Sequence, residues 1–380
     1  MKEQLKAVIT TIMRCFLRIY HLIPLKKRIV FESFNGKQIT CNPYYIYCYM
    51  KKQYPDYEYI WCYNKKDDKS IRCVTRNSLA YIYYVLTSAV YITNDTIPQY
   101  IPFRKKQMVI NTWHGGGSYK KTGLELDQKL CNWYNLLNLK RAGKSTTHFL
   151  SSSEIFTEAA PKASFISDKK ILPIGMPRND IFFNQQQMEE ANRKVRTLYN
   201  ISDDDFIVLY APTFRTTKVN LQPDFLSISN AIKERFNPTK IYVFIRTHHL
   251  MQISDITLPK DLCINVSSYP YMQDLLATAD MLISDYSSCI WDYSFTYRPC
   301  ILYVPDLSQY KSIRDFHKPI ETWGFPIAQT NEKMVDIIKN FDSNKFKQSM
   351  EKHHNTLNSY EKGTATATLC KFIILHLKNL

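Results

Sequence analysis

The sequence predicts an α/β protein built in two halves. Two observations carry this: short β-rich runs alternate with helical stretches from Arg28 onward, and a second series of the same kind begins at Phe206. A third locates candidate chemistry, because four of only nine glycines (Gly115, Gly116, Gly117 and Gly123) fall in one segment directly after a strand-like run. With 380 residues, 45% of them hydrophobic and 14% aromatic, the chain can bury a large core, and its length suggests two domains.

Residues 1–28 place Leu5, Val8, Ile9, Ile12, Phe16, Ile19 and Ile23 at helical spacing among Lys2, Lys6, Arg14, Arg18, Lys26, Lys27 and Arg28. This reads as an amphipathic helix ending near Pro24, either lying in the headgroup region of an anionic leaflet or packed on its own domain. It lacks the uninterrupted apolar core and small-residue cleavage site of a signal peptide. The longest apolar run, Ile9 to Ile23, is broken by Arg14, Arg18 and His21, and falls short of the ~18 residues needed to span a bilayer.

In the first half, Arg28–Glu32, Tyr57–Cys62, Ala89–Asn94, Gln107–Thr112 and His148–Ser151 read as strands. In the second, Phe206–Tyr210, Ile241–Arg246, Leu262–Val266, Met281–Ser284 and Cys300–Val304 do. The polar stretch Asn184–Asp205 is the expected seam, and Tyr360–Leu380 reads as a final helix. The resulting division is 1–28, 29–190, 191–350 and a helical tail 351–380.

A net charge of +16 implies an anionic partner: nucleic acid, a phospholipid surface or a phosphorylated small molecule. No nucleic-acid-binding motif accompanies the charge, so a basic nucleic-acid-binding protein is the remote alternative. Ten scattered cysteines, without a C-x-x-C pair or zinc spacing, read as reduced thiols, and no metal site or other cofactor is expected.

The segment Asn111-Thr-Trp-His-Gly-Gly-Gly-Ser-Tyr-Lys-Lys-Thr-Gly123 puts His114 at a strand's C-terminal end, the edge where open α/β sheets bind ligands. Gly115 and Gly116 would let the backbone approach a ligand, and Lys120 and Lys121 would attract an anion. An imidazole with a pKa near ~6.5 suits a general base; the alternative for His114 is a structural histidine bonded to a turn carbonyl. In Ala279-Asp-Met-Leu-Ile-Ser-Asp-Tyr-Ser-Ser-Cys289 a strand stops at Asp285, and Ser287 and Ser288 either cap the next helix or mark a phosphate site at its start. Two more strand ends, Leu209-Tyr-Ala-Pro-Thr-Phe-Arg215 and Phe244-Ile-Arg-Thr-His-His249, bring Pro212, Thr213, Arg215, Arg246 and His248 to the same edge. There Arg215 and Arg246 would chelate phosphate, and His248 would donate to a diphosphate as its charge grows. Arg178, Asn179 and Asp180, in Ile174-Gly-Met-Pro-Arg-Asn-Asp180, either cap a helix or line the cleft.

Taken in order, Thr112-Trp-His-Gly115, Gly175-Met-Pro-Arg-Asn-Asp180, Leu209-Tyr-Ala-Pro-Thr-Phe-Arg215, Arg246-Thr-His248 and Ser284-Asp-Tyr-Ser-Ser288 resemble the motif series of the CDP-glycerol glycerophosphotransferase family, over roughly residues 28 to 350. The resemblance implies a GT-B-like α/β fold of two Rossmann-like domains facing a central cleft, with the acceptor and catalytic base in the first and the CDP-polyol in the second. It implies glycerol phosphate transfer from CDP-glycerol to a hydroxyl of a membrane-linked, teichoic-acid-like or capsular polymer, with release of CMP at the inner membrane face. By the same resemblance His114 matches the catalytic histidine, and Arg215, His248, Asp285, Ser287 and Ser288 match positions around the diphosphate. The sequence departs from the family pattern at Gly116 and Gly117, where many members carry Thr-Pro, and at Arg314-Asp-Phe-His317, where many carry Arg-Gly-Phe-Tyr. The alternatives of the same chemistry are a CDP-ribitol-using transferase and a nucleotide-sugar glycosyltransferase of similar fold.

Overall fold

The β-rich runs pair into two sheets whose named strands are all parallel. The computed structural model describes residues 2–65, 71–126, 132–213, 222–246, 262–313 and 315–380. The chain divides into two units: Met1–Gly115, Thr122–Asp180 and Tyr360–Leu380 form the first, and Gly116–Lys121 and Ile181–Ser359 form the second. The units part at Asp180 rather than at residue 190, and residues 1–28 belong to the first. The short glycine-rich piece belongs to the second unit, and the last helix belongs to the first, so each unit is assembled from non-contiguous chain.

The first sheet contains β1 (Lys26–Glu32), β2 (Glu58–Cys62), β3 (Cys73–Val74), β4 (Ser88–Thr93), β5 (Met108–Asn111), β6 (His148–Ser151) and β7 (Ile171–Pro173), in the order β3-β2-β1-β4-β5-β6-β7. The second contains β8 (Phe206–Tyr210), β9 (Ile241–Ile245), β10 (Cys263–Asn265), β11 (Met281–Ser284), β12 (Cys300–Tyr303) and β13 (Ile327–Ala328), in the order β10-β9-β8-β11-β12-β13. Both are doubly wound. Strand order reverses between β1 and β4 in one sheet and between β8 and β11 in the other, and ligands of such sheets bind beyond the strand ends at that switch point.

The strands are nearly continuous apolar runs because both faces are covered. Phe31, Trp61 and Ile92 pack on one face of the first sheet with Leu369 and Ile373, while Val30, Ile60 and Tyr91 pack on the other with Tyr81 and Val85. In the second unit Val208, Ile283 and Ile301 meet Ile228, Ile232 and Ile338. Burial of such side chains contributes about 25 cal/mol per Å² of apolar surface. Three strands were missed by the sequence reading: β3, β7 and β13. Each is a two- or three-residue edge strand, too short to show a pattern of its own.

The N-terminal segment is an α-helix over Lys2–Leu17 continued by a 3-10 turn, Arg18–Leu22. Arg14 anchors it to the first unit through the carbonyls of Gln99 and Ile101. Its apolar stripe faces outward, with Leu5 61%, Phe16 75% and Leu22 84% exposed. No helix among the described residues is long and apolar enough to cross a membrane. The last helix, Ala365–Lys378, buries Leu369, Ile373, Ile374 and Leu377 and packs on helix Cys41–Gln53 of the first unit.

Candidate active site

Strand β5 ends at Asn111, and the chain then turns abruptly. Trp113 adopts a left-handed backbone (φ +54°), uncommon for a bulky residue, and this turn carries His114 at the strand end. The His114 Nδ1 lies 2.7 Å from the main-chain oxygen of Asn94, the residue following β4. A carbonyl can only accept, so Nδ1 carries the proton and Nε2 is the basic nitrogen of the neutral ring. The Trp113 ring stacks on the imidazole at 4.7 Å, and the Phe34 ring lies at 5.5 Å.

The backbone of this turn is held by buried donors. Asn42 Nδ2 donates to the Thr112 and Trp113 carbonyls, and Arg178 Nη1 donates to the His114 carbonyl at 2.7 Å. The Arg178 main-chain N–H in turn bonds Asn42 Oδ1. Arg178 is 5% exposed and Asn179 is fully buried, so in this structure Arg178 holds the His114 turn. Asn179 Nδ2 donates to Glu361, which also accepts from the Met176 N–H. Gly175, at φ +86°, is required there because a Cβ would come within 2.7 Å of the Glu361 carboxylate. Asp180 caps the last helix by accepting from the N–H groups of Ala365 and Thr366, the capping alternative of the sequence reading. Its burial raises its pKa against the lowering effect of those bonds.

The glycines after His114 serve packing. A Cβ on Gly116 would sit 2.1 Å from the Trp291 indole, so the expected approach of a ligand to this residue is replaced by that of a buried side chain of its own unit. Gly115 lies at the point where the chain passes from one unit to the other. Lys120 forms a bridge with Phe316, and Lys121 pairs with Asp315 through both its main chain and its ammonium group. The Lys121 ammonium holds the Asp315 carboxyl below its ordinary range. The pair is exposed and its charges largely offset each other, which weakens the expectation that Lys121 attracts substrate.

In the second unit the structure brings four of the expected positions to neighbouring strand ends. Thr213, beyond β8, donates its N–H (2.9 and 3.0 Å) and hydroxyl (2.6 Å) to Asp285, the residue after β11. Pro212 precedes this tie. Arg246, after β9, directs Nη1 to the Tyr269 and Val266 carbonyls, and burial lowers its pKa. Ser287 accepts a long bond, 3.4 Å, from the Cys289 N–H, and Ser288 makes no side-chain cap. Helix Cys289–Ser294, which follows these serines, is six residues long. Arg215 and His248 lie outside the described residues.

Sequence reasoning missed Asn42, Asn94 and Glu361. Asn94 carried the only local signal, an Asn-Asp pair terminating an apolar run.

The comparisons agree on one family. The description CDP-Glycerol:Poly(glycerophosphate) glycerophosphotransferase matches residues 15–375. The teichoic acid poly(glycerol phosphate) polymerase of Bacillus spizizenii is 28% identical, covering 95% of each chain. The Staphylococcus aureus teichoic acid glycerol-phosphate transferase is 26% identical over 98% of this chain and 99% of its own. The chain spans about half (48%) of the Bacillus subtilis polymerase, at 28% identity. The wall teichoic acid polymerase TagF, solved as an asparagine-for-histidine variant soaked with CDPG, superposes with a TM-score of 0.84 at 27% identity, covering 100% of this chain and 98% of that one. The motif series, the two doubly wound sheets of GT-B-like type and a match running nearly end to end converge: the chain belongs to the CDP-glycerol:poly(glycerophosphate) glycerophosphotransferase family and is a glycerophosphotransferase.

Proposed function

We propose that His114 is the general base of glycerol phosphate transfer from CDP-glycerol to a teichoic-acid polymer hydroxyl. The supporting observation is the Nδ1 contact with the Asn94 carbonyl, which makes Nε2 the basic nitrogen. Nε2 takes the acceptor hydroxyl proton as that oxygen attacks the phosphorus bearing glycerol. The new P–O bond gives a phosphodiester, and the P–O bond to CMP breaks with its electron pair leaving on CMP. General-base assistance of this kind contributes ~10²–10⁴-fold, and positioning plus charge stabilisation supplies most of the remainder. By the motif resemblance, Arg215, His248, Asp285, Ser287 and Ser288 lie around the diphosphate, with Arg246 as a further phosphate ligand and His248 donating to the diphosphate as its charge grows.

The test is a donor screen of CDP-glycerol, CDP-ribitol and UDP-sugars, scoring the nucleotide released by wild type and His114→Ala. CMP release from CDP-glycerol by the wild type, lost in His114→Ala with CDP-glycerol binding retained, is the expected result. Unchanged turnover in the variant would refute the base assignment, and a preference for CDP-ribitol would reassign the polyol.

The outward apolar stripe of Lys2–Leu17, flanked by basic residues, supports docking on an anionic membrane at the cytoplasmic face, where a lipid-linked acceptor would be presented. Removing residues 1–27 should abolish co-flotation with anionic vesicles. Flotation at the full-length level would overturn this placement.

A further inference from the structure

We propose that Asn94 is a positioning residue for the transfer, holding His114 in its reactive tautomer and orientation; this rests on the reading of His114 as the base. Asn94 is fully buried and sits at the switch point of the first sheet, between the ends of β1 and β4. Its main-chain oxygen accepts from His114 Nδ1 at 2.7 Å. Its side-chain Oδ1 accepts from the Phe34 N–H at 2.9 Å, beyond the end of β1. One residue therefore joins the imidazole to the loop whose Phe34 ring flanks it.

That loop needs an external hold. Phe34 and Asn35 are consecutive non-glycine residues at φ +47° and φ +57°, a conformation that L side chains adopt uncommonly. Asn94 secures the first, and Asp95 secures the second through the Asn35 amide. The orientation of the Asn94 amide is fixed, because the Phe34 N–H can face only an oxygen. Its Nδ2 is then left buried with no hydrogen-bond partner. An apolar residue of the same shape would avoid that unsatisfied group, so the acceptor Oδ1 is what distinguishes asparagine here. The second sheet supports this reading. Asp285 stands directly after β11 at the corresponding switch point and likewise accepts a main-chain N–H from the loop after the neighbouring strand, that of Thr213.

The experiment compares Asn94→Leu, nearly isosteric without the acceptor, with Asn94→Asp, which keeps it, each alone and in a His114→Ala background. Asn94→Leu should lower kcat about tenfold or more while KM for CDP-glycerol stays within about twofold, and Asn94→Asp should restore kcat to within about threefold. In the His114→Ala background Asn94→Leu should change the residual rate by less than about twofold, since the group it acts through is gone. Asn94→Ala replaces the leucine variant if that protein does not melt cooperatively. Wild-type kcat in Asn94→Leu, beside an inactive His114→Ala, would overturn the positioning role and leave the base standing. An equal fractional loss with and without His114 would also overturn it, marking a purely structural role. Full activity in His114→Ala would remove the base reading itself.

Discussion

The two sheets close their switch points in the same way but with different chemistry. In the first, a neutral amide, Asn94, bonds one N–H of the β1 loop, and its own carbonyl orients the imidazole. In the second, the Asp285 carboxylate takes the N–H and hydroxyl of Thr213. The first arrangement orients one imidazole. Its turn is additionally clamped by Asn42 and Arg178, so His114, the proposed base, sits on a backbone fixed at three successive carbonyls. The second couples two loops through one charge, so the strand ends resembling the diphosphate site stand or fall together.

That contrast can be broken most forcefully at Asp285. Asn in its place removes the charge and points donors at donors. Hydrogen bonds to a charged group are worth about 1.5–3 kcal/mol, so Asp285→Asn should destabilise the protein by about 2 kcal/mol in denaturant melts and weaken CDP-glycerol binding. A Thr213→Val variant should add little to it, because both act on one tie. Fully additive losses would show that the two loops are held independently.

A graded effect, tied to no switch point, should appear in acid. Burial lowers the His353 and His354 pKa values to about 3 and about 4. Both rings are neutral partners inside the second unit, His353 Nε2 to the Tyr119 hydroxyl and His354 Nε2 to Ser294. The unfolded chain protonates them near pH ~6.5, so it binds more protons than the folded chain below that pH. Stability is therefore full above pH ~6.5 and falls by up to about 1.4 kcal/mol per pH unit per histidine until the folded values are reached. Urea midpoints measured from pH 7 to pH 5 should fall steeply in wild type and less in a His353→Gln/His354→Gln double variant. Equal slopes would show that other groups govern the acid limb.

The fold was largely legible because both sheets are buried on two faces, so each interior strand announces itself as an apolar run; β8 and β11 fall where the sequence predicts them. Three of the four edge strands were not, since β3 and β13 are two residues long, β7 three, and each exists through the neighbour it pairs with. In the site, Thr112-Trp-His-Gly115 placed His114 just beyond a strand end, where the structure has it. The glycines beside it misled. Gly116 makes room for Trp291, which lies far along the chain, and no local pattern discloses that.

By itself, then, the sequence determined the two strand series, the strand-end placement of His114 and Asp285 and the amphipathic character of the N-terminus, all consequences of local periodicity and turn chemistry. Only the tertiary structure decided what those residues touch. It set Arg178 against the His114 carbonyl and Asp180 on the last helix, and it brought Asn94 to His114 and Glu361 to Asn179, the latter across 182 residues. Hydrogen bonds inside a buried core join groups that the fold, not the chain order, makes neighbours, and the sequence encodes those partners only through the packing of the whole.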